Sequence, residues 1–144
     1  MNNNFKQRGF TLIEIMVVVV ILGILAAAVV PKIMSRPEQA RIEKTKHDIG
    51  ALESALNIYK LDNYQYPSTD QGLESLVTKP SGAPQPRNYK KGGYIKKLNK
   101  DPWGQEYLYL FPGTHTDLDL YSLGPDGQPS DDDIGNWNIN EYLN

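Results

Sequence analysis

The residues best suited to chemistry lie near the two ends of the chain. Residues 123–134 read Leu-Gly-Pro-Asp-Gly-Gln-Pro-Ser-Asp-Asp-Asp-Ile, which puts Asp126, Asp131, Asp132 and Asp133 within eight positions, among turn-forming Gly and Pro. Carboxylates, carbonyls and hydroxyls at that density can gather hard oxygens around a cation such as calcium. The segment has no Glu at the twelfth position and carries an internal proline, so it is not an EF-hand loop. Taken by itself, the pattern favours a solvated acidic turn over an ion site. At the other end, Glu14 is the one ionisable residue in an apolar run of 21 residues from Phe10 to Val30. A carboxylate at mid-membrane costs about 2.5–3.5 kcal/mol on insertion scales, less near the interface, and such residues mark function. Between the ends, His47 and His115 fall in different elements, and there is no cysteine, P-loop or nucleophile elbow. No catalytic constellation forms, and the sequence reads as a non-enzyme.

The elements that carry these residues follow in order. A polar leader holds Lys6 and Arg8 and ends at Gly9, the small residue standing before the apolar run rather than after it. An ordinary secretory signal has its cleavage site on the far side of the apolar stretch. As a helix, the run spans roughly 31 Å, close to a bilayer core. Gly23 and Pro31 interrupt it, and Pro31 is expected to loosen the turn back to Ala27, with Pro37 opening a fresh turn. From about residue 38 to 62, Ile42, Ile49, Leu52, Leu56 and Tyr59 share one helical face while Glu38, Arg41, Glu43, Lys44, Lys46, Asp48, Glu53 and Lys60 lie largely off it. Pro67 closes that helix, and Leu73, Leu76 and Val77 suggest a short second one. Residues 79–100 form a Pro/Gly/Lys-rich connection, read as a solvated surface loop with Arg87 and several lysines interleaved with Tyr89 and Tyr94. Residues 107–111 and 118–123 alternate as two strands of a small antiparallel sheet. The expected class is α+β, a long helix packed on a small globular domain. A net charge of −2, falling to −4 without Lys6 and Arg8, argues against nucleic acid as a partner.

Arg8-Gly9-Phe10-Thr11-Leu12-Ile13-Glu14 resembles the class III signal of type IV pilin-like proteins. That resemblance implies cleavage after Gly9 by a membrane prepilin peptidase and N-methylation of Phe10. It also implies that Glu14, with Thr11 beside it, serves assembly by facing a neighbouring subunit's terminal amine. Tyr66-Pro67-Ser68-Thr69, Gln71-Gly72-Leu73, Leu76-Val77 and Asp101-Pro102-Trp103-Gly104 resemble the major pseudopilins of type II secretion systems. So do Asp126 and Asp131-Asp132-Asp133-Ile134, which look like the calcium loop of that family. The resemblance maps ligation onto Asp126, Asp133, the carbonyl of Leu123 and the intervening turn with Gln128, leaving Ser130, Asp131 and Asp132 open. It implies a leader over 1–9, a transmembrane assembly helix over 10–30, its amphipathic continuation over 31–62 and a soluble domain over 63–144. The implied partners are further copies of the chain in a filament, minor pseudopilins, an inner-membrane platform with its cytoplasmic ATPase, the prepilin peptidase/N-methyltransferase, and the inner membrane, with the soluble domain in the periplasm. The implied role is to drive folded exoproteins through the outer membrane. The nearest alternative is a type IV pilin of a surface fibre, though many of those close a C-terminal loop with a cysteine pair that this chain lacks. A membrane-anchored calcium module that never polymerises is a further alternative.

Overall fold

The computed structural model describes residues 9–140, with only the backbone described for 28–36. Helix α1 runs Leu12–Asn63, a single 3-10 turn covers Leu73–Leu76, and three strands follow: β1 Leu108–Leu110, β2 Asp119–Ser122 and β3 Ile134–Gly135. By its contacts the chain separates into two units, residues 1–39 and 40–144.

In the first unit α1 continues through Gly23, Pro31 and Pro37 with no break in its helical assignment. The expected fresh turn at Pro37 is therefore not a separate element. Each proline removes one backbone donor, and the hydrogen bonds of the flanking turns carry the helix past it. The large apolar side chains from Phe10 to Leu25 are all turned to the surroundings: Phe10 and Leu12 are 80% exposed and Ile13 70%. Among the described residues no helix is long and apolar enough to cross a membrane.

In the second unit the C-terminal part of α1 supplies one wall of the core. Ile49, Leu52, Leu56 and Tyr59 are buried at the spacing of three, four and three that one helical face demands, with Ile42 partly buried beyond them. The facing wall is the sheet, ordered β1-β2-β3 and antiparallel throughout, with Tyr109 opposite Leu120 and Ser122 opposite Ile134. Tyr107, Tyr109, Leu118, Leu120 and Ile134 reach in from it, and Leu73 and Leu76 close one side. The tyrosine hydroxyls find partners at the core's margin. Tyr109 donates to the Pro67 carbonyl and Tyr107 to Asp48 Oδ2, both at 2.8 Å. Burial pushes both phenols well above their ordinary range.

The connection over 79–100 departs from the expected solvated loop. Its lysines and Arg87 are exposed, but Tyr89, Tyr94, Ile95 and Leu98 pack against the core. Tyr59, Tyr89 and Tyr94 form an aromatic triangle with centroid separations of 6.2, 5.2 and 5.4 Å. Buried Asn63 ties it to the helix end, donating to the Tyr59 carbonyl and the Tyr94 hydroxyl and accepting from Asn88 N. The interleaved aromatics are thus an inner face, and the cations an outer one.

Candidate functional site: the assembly junction and the acidic loop

At the start of α1, Thr11 and Glu14 answer each other. Glu14 N donates to Thr11 Oγ1 at 3.3 Å, and Thr11 N donates to Glu14 Oε2 at 3.5 Å. This is the reciprocal T-x-x-E capping box, in which two side chains satisfy amides that the first turn leaves without intrahelical acceptors. The T-x-x-E spacing of this cap is present in the sequence, where the family resemblance assigns Glu14 an intermolecular partner. The structure gives Glu14 an intramolecular one first: its charge sits at the positive end of the helix dipole. The contact from Thr11 N to the carboxylate is long, so the exposed carboxylate is only weakly held. Gly9 and Phe10 lie immediately before this cap, both exposed.

The acidic loop hangs from the end of β2. Ser122 Oγ donates to buried Asp101 at 2.6 Å and accepts from Gly124 N at 3.1 Å. Asp101 also receives Trp103 N and Gln105 N, so the 101–105 turn clamps the loop's first residue. Gly124 sits at φ 67°, and a Cβ there would lie 3.2 Å from the Asp132 carbonyl and carboxylate, which pass directly over it. Ser130 is the hub. Its hydroxyl donates to Asp126 Oδ2 at 3.3 Å and to Asp132, and its backbone N–H donates to Asp133 Oδ1 at 3.3 Å. Asp126 Oδ1 accepts Gln128 N at 2.9 Å in an Asx turn. Burial pushes the Asp133 carboxyl up; the Ser130 N–H opposes this, and the charges of Asp132, Asp126 and Asp131 add to it.

Of the sequence-derived ligand set, Asp126, Ser130 and Asp132 are brought together, and Asp133 joins them through Ser130 N. Asp131 is exposed and Leu123 half-buried, while Gln128 enters by its backbone. No three metal-ligating side chains among Asp, Glu, His and Cys converge among the described residues. The donor set nevertheless suits a hard divalent cation: every candidate atom is oxygen, and four carboxylates repel one another with no cation interposed.

A second buried carboxylate lies close by and escaped the sequence reading. Asp119, 1% exposed, receives the backbone N–H groups of Thr114, His115 and Thr116, the Thr114 hydroxyl and His115 Nδ1. Burial alone would raise its pKa, but those donors outweigh it and hold the carboxyl well below the usual range. His115 stacks on Trp137 with ring centroids 4.0 Å apart, which joins this turn to the segment after the acidic loop.

A long N-terminal helix beginning with an exposed apolar stretch and a capped Glu, followed by a small α+β domain with a three-stranded sheet, defines a pilin-like filament subunit of the pseudopilin class. Residues 4–30 match the prokaryotic N-terminal methylation motif, and residues 32–137 match the family of type II secretion system (T2SS) protein G. The chain belongs to that family. It is 64% identical over 136 residues to the type II secretion system core protein G of Pseudomonas aeruginosa, covering 92% of this chain and 96% of that protein. It is 59% identical over 141 residues to the core protein G of Vibrio cholerae serotype O1, covering 95% and 96%. Its fold is similar to the crystal structure of the major pseudopilin from the type 2 secretion system of enterohaemorrhagic Escherichia coli. There the TM-score is 0.68 at 51% identity, over 72% of this chain and 92% of that one.

Proposed function

We propose that the chain is the major structural subunit of a type II secretion pseudopilus, polymerising with copies of itself into a periplasmic filament that drives folded exoproteins through the outer membrane. The observation that carries this reading is the apolar stretch Phe10 to Leu25, every large side chain of which is about half exposed or more. Water does not tolerate such a surface; lipid before assembly, and neighbouring helices after it, do. The length of the apolar run, Phe10 to Val30, supports a single membrane span, and membership of the family supports the inner membrane, with the globular part in the periplasm. The prepilin peptidase cuts after Gly9 and methylates Phe10, and the inner-membrane platform and minor pseudopilins receive the mature chain. Glu14 then exchanges its weak contact with Thr11 N for the cationic amine of a neighbour, a charge-assisted bond in a water-poor setting. Intact mass spectrometry should show a mature chain starting at Phe10 with one added methyl group. Glu14→Leu should leave insertion and the soluble fold unchanged while filaments fail; normal filament yield would refute the exchange.

The same reading assigns calcium to the acidic loop. Asp126 and Asp133 with the Leu123 carbonyl would hold it, Asp132 and Ser130 being the next donors at hand. The ion supplies charge neutralisation and a cross-link between the loop's two ends. The residues themselves order the approach: Ser130 pre-gathers the carboxylates, and the Asp101–Ser122 clamp fixes where the loop begins.

A further inference from the structure

The outer edge of β1 opens onto a cleft of about 420 Å³ between residues 69–74 and residues 98–100. β1 is an edge strand, because the sheet order places only β2 beside it. Which of its backbone groups face outward follows from the hydrogen bonds of β2. Leu120 directs both its N–H and its C=O toward Asn136, away from β1. Tyr109, which faces Leu120 in the register, is therefore in a non-hydrogen-bonded pair, and its own N–H and C=O point to the open edge. Phe111, two residues on, points the same way, and there the Thr69 hydroxyl accepts from Phe111 N at 2.9 Å and donates to Phe111 O at 3.1 Å. One side chain thus already plays the part of a missing strand at Phe111. At Tyr109 no described protein group does so.

We propose that this edge is a docking site for an extended, cationic segment of a partner protein, added as a fourth strand beside β1. Main-chain pairing supplies the affinity in such strand addition, and alternate side chains supply the selectivity. The cleft selects by charge. Asp70, Glu74 and Glu106 line it, all exposed and none in a described ion pair, against the single cation Lys100. Leu98 and Leu108 give an apolar floor. A strand alternating Lys with a small apolar residue presents ammonium groups to the carboxylates on one face and methyl groups to the leucines on the other. β1 is three residues long, which sets the length of the segment that can pair along it. Thr69 blocks the far end, so the segment must enter from the Glu106 side.

The test uses the full chain, ¹⁵N-labelled in detergent micelles, titrated with acetyl-(Lys-Val)₃-amide. Saturable amide shifts centred on Tyr109, with slowed hydrogen exchange of its N–H, are the expected result. A peptide N-methylated at alternate residues should bind at least about tenfold more weakly, since it lacks the pairing donors. The Glu-Val counterpart should do the same by charge, and so should the surface variant Glu74→Lys with an unchanged melting temperature. If the amide of Tyr109 is already protected in the free protein, or the N-methylated peptide binds equally well, the proposal falls. Shifts confined to residues 126–133 would also overturn it, as would no binding at all, in which case the carboxylates only guard the edge against pairing.

Discussion

Asp119→Asn tests whether one buried carboxylate organises the turn between β1 and β2. In the wild type both oxygens are fully used. Oδ2 accepts Thr114 N and the Thr114 hydroxyl at 2.7 Å, and Oδ1 accepts Thr116 N at 3.0 Å, with His115 N within reach of both. Asparagine retains one acceptor and turns an NH₂ toward donors, so about half of these bonds are lost and N–H groups are set against each other. Hydrogen bonds to a charged group contribute about 1.5–3 kcal/mol each, and water recovers part of the loss at a half-exposed turn. The expected destabilisation is about 2–4 kcal/mol, or roughly 8–32 °C in melting temperature at about 4–8 °C per kcal/mol for a domain this size. Circular dichroism melts of the full chain in detergent read this directly. The pH dependence is a second readout. Because the folded pKa lies below the unfolded value near 4, the carboxylate's contribution is fully present above that value and is lost as pH falls through the folded pKa. Wild type should therefore lose stability below about pH 4 more steeply than the variant. A variant within about 0.5 kcal/mol of wild type, or with the same acid slope, would show that the turn holds without its carboxylate.

Calcium should raise the melting temperature of the full chain over chelator. Extracellular modules bind at about 0.1–1 mM, and a tenfold excess over the dissociation constant gives about 1.4 kcal/mol, roughly 5–10 °C here. Asp126→Ala should abolish the response and Asp131→Ala largely keep it; coincident wild-type melts would leave the loop a solvated turn. Gly93→Ala should cost at least about 2 kcal/mol by denaturant titration. Gly93 has φ 79°, and a Cβ would stand 2.5 Å from the Val77 carbonyl oxygen and 2.8 Å from that of Leu76, backbone atoms that cannot rotate away. A neutral result would mean that the connection over 79–100 moves freely against the core.

How far the sequence could be read depended on whether a segment's partner was local. The face of α1 with Ile49, Leu52, Leu56 and Tyr59 was legible because helical periodicity is a local signal. β1 and β2 emerged within a residue or so at each end, since their alternation spans enough positions to register. β3 did not: Ile134–Gly135 has no room for a pattern and exists only because Ser122 and Tyr121 pair with it. The inward turn of Tyr89 and Tyr94 was hidden for a related reason. Lysine-rich flanks set the composition of that segment, and its burial is decided by Tyr59 and Asn63, some thirty residues away. Asp119 reads as an ordinary polar residue in a strand, because most of the donors that surround it are backbone amides, which leave no mark in the sequence.

On the proposed reading, an ion complements the C-terminal segment of this fold. Its ends are anchored: Ser122 to Asp101 on one side, and on the other Ile134 in the core, Asn136 to Leu120 and Asn138 to the Asp133 carbonyl. Between those anchors, residues 125–132 contribute no buried apolar side chain. Ordering each residue costs about 1–2 kcal/mol of backbone entropy, and here no apolar burial offsets it. A disulfide could limit that cost by restricting the unfolded chain, but the sequence has no cysteine. Ser130 offers only hydrogen bonds, and it spends them gathering carboxylates that repel one another. That arrangement is poor as a stabilising device on its own and well suited to receive two positive charges. On the proposed reading, the free energy of the loop is therefore set by the calcium concentration around it, and a subunit becomes fully ordered where calcium is available.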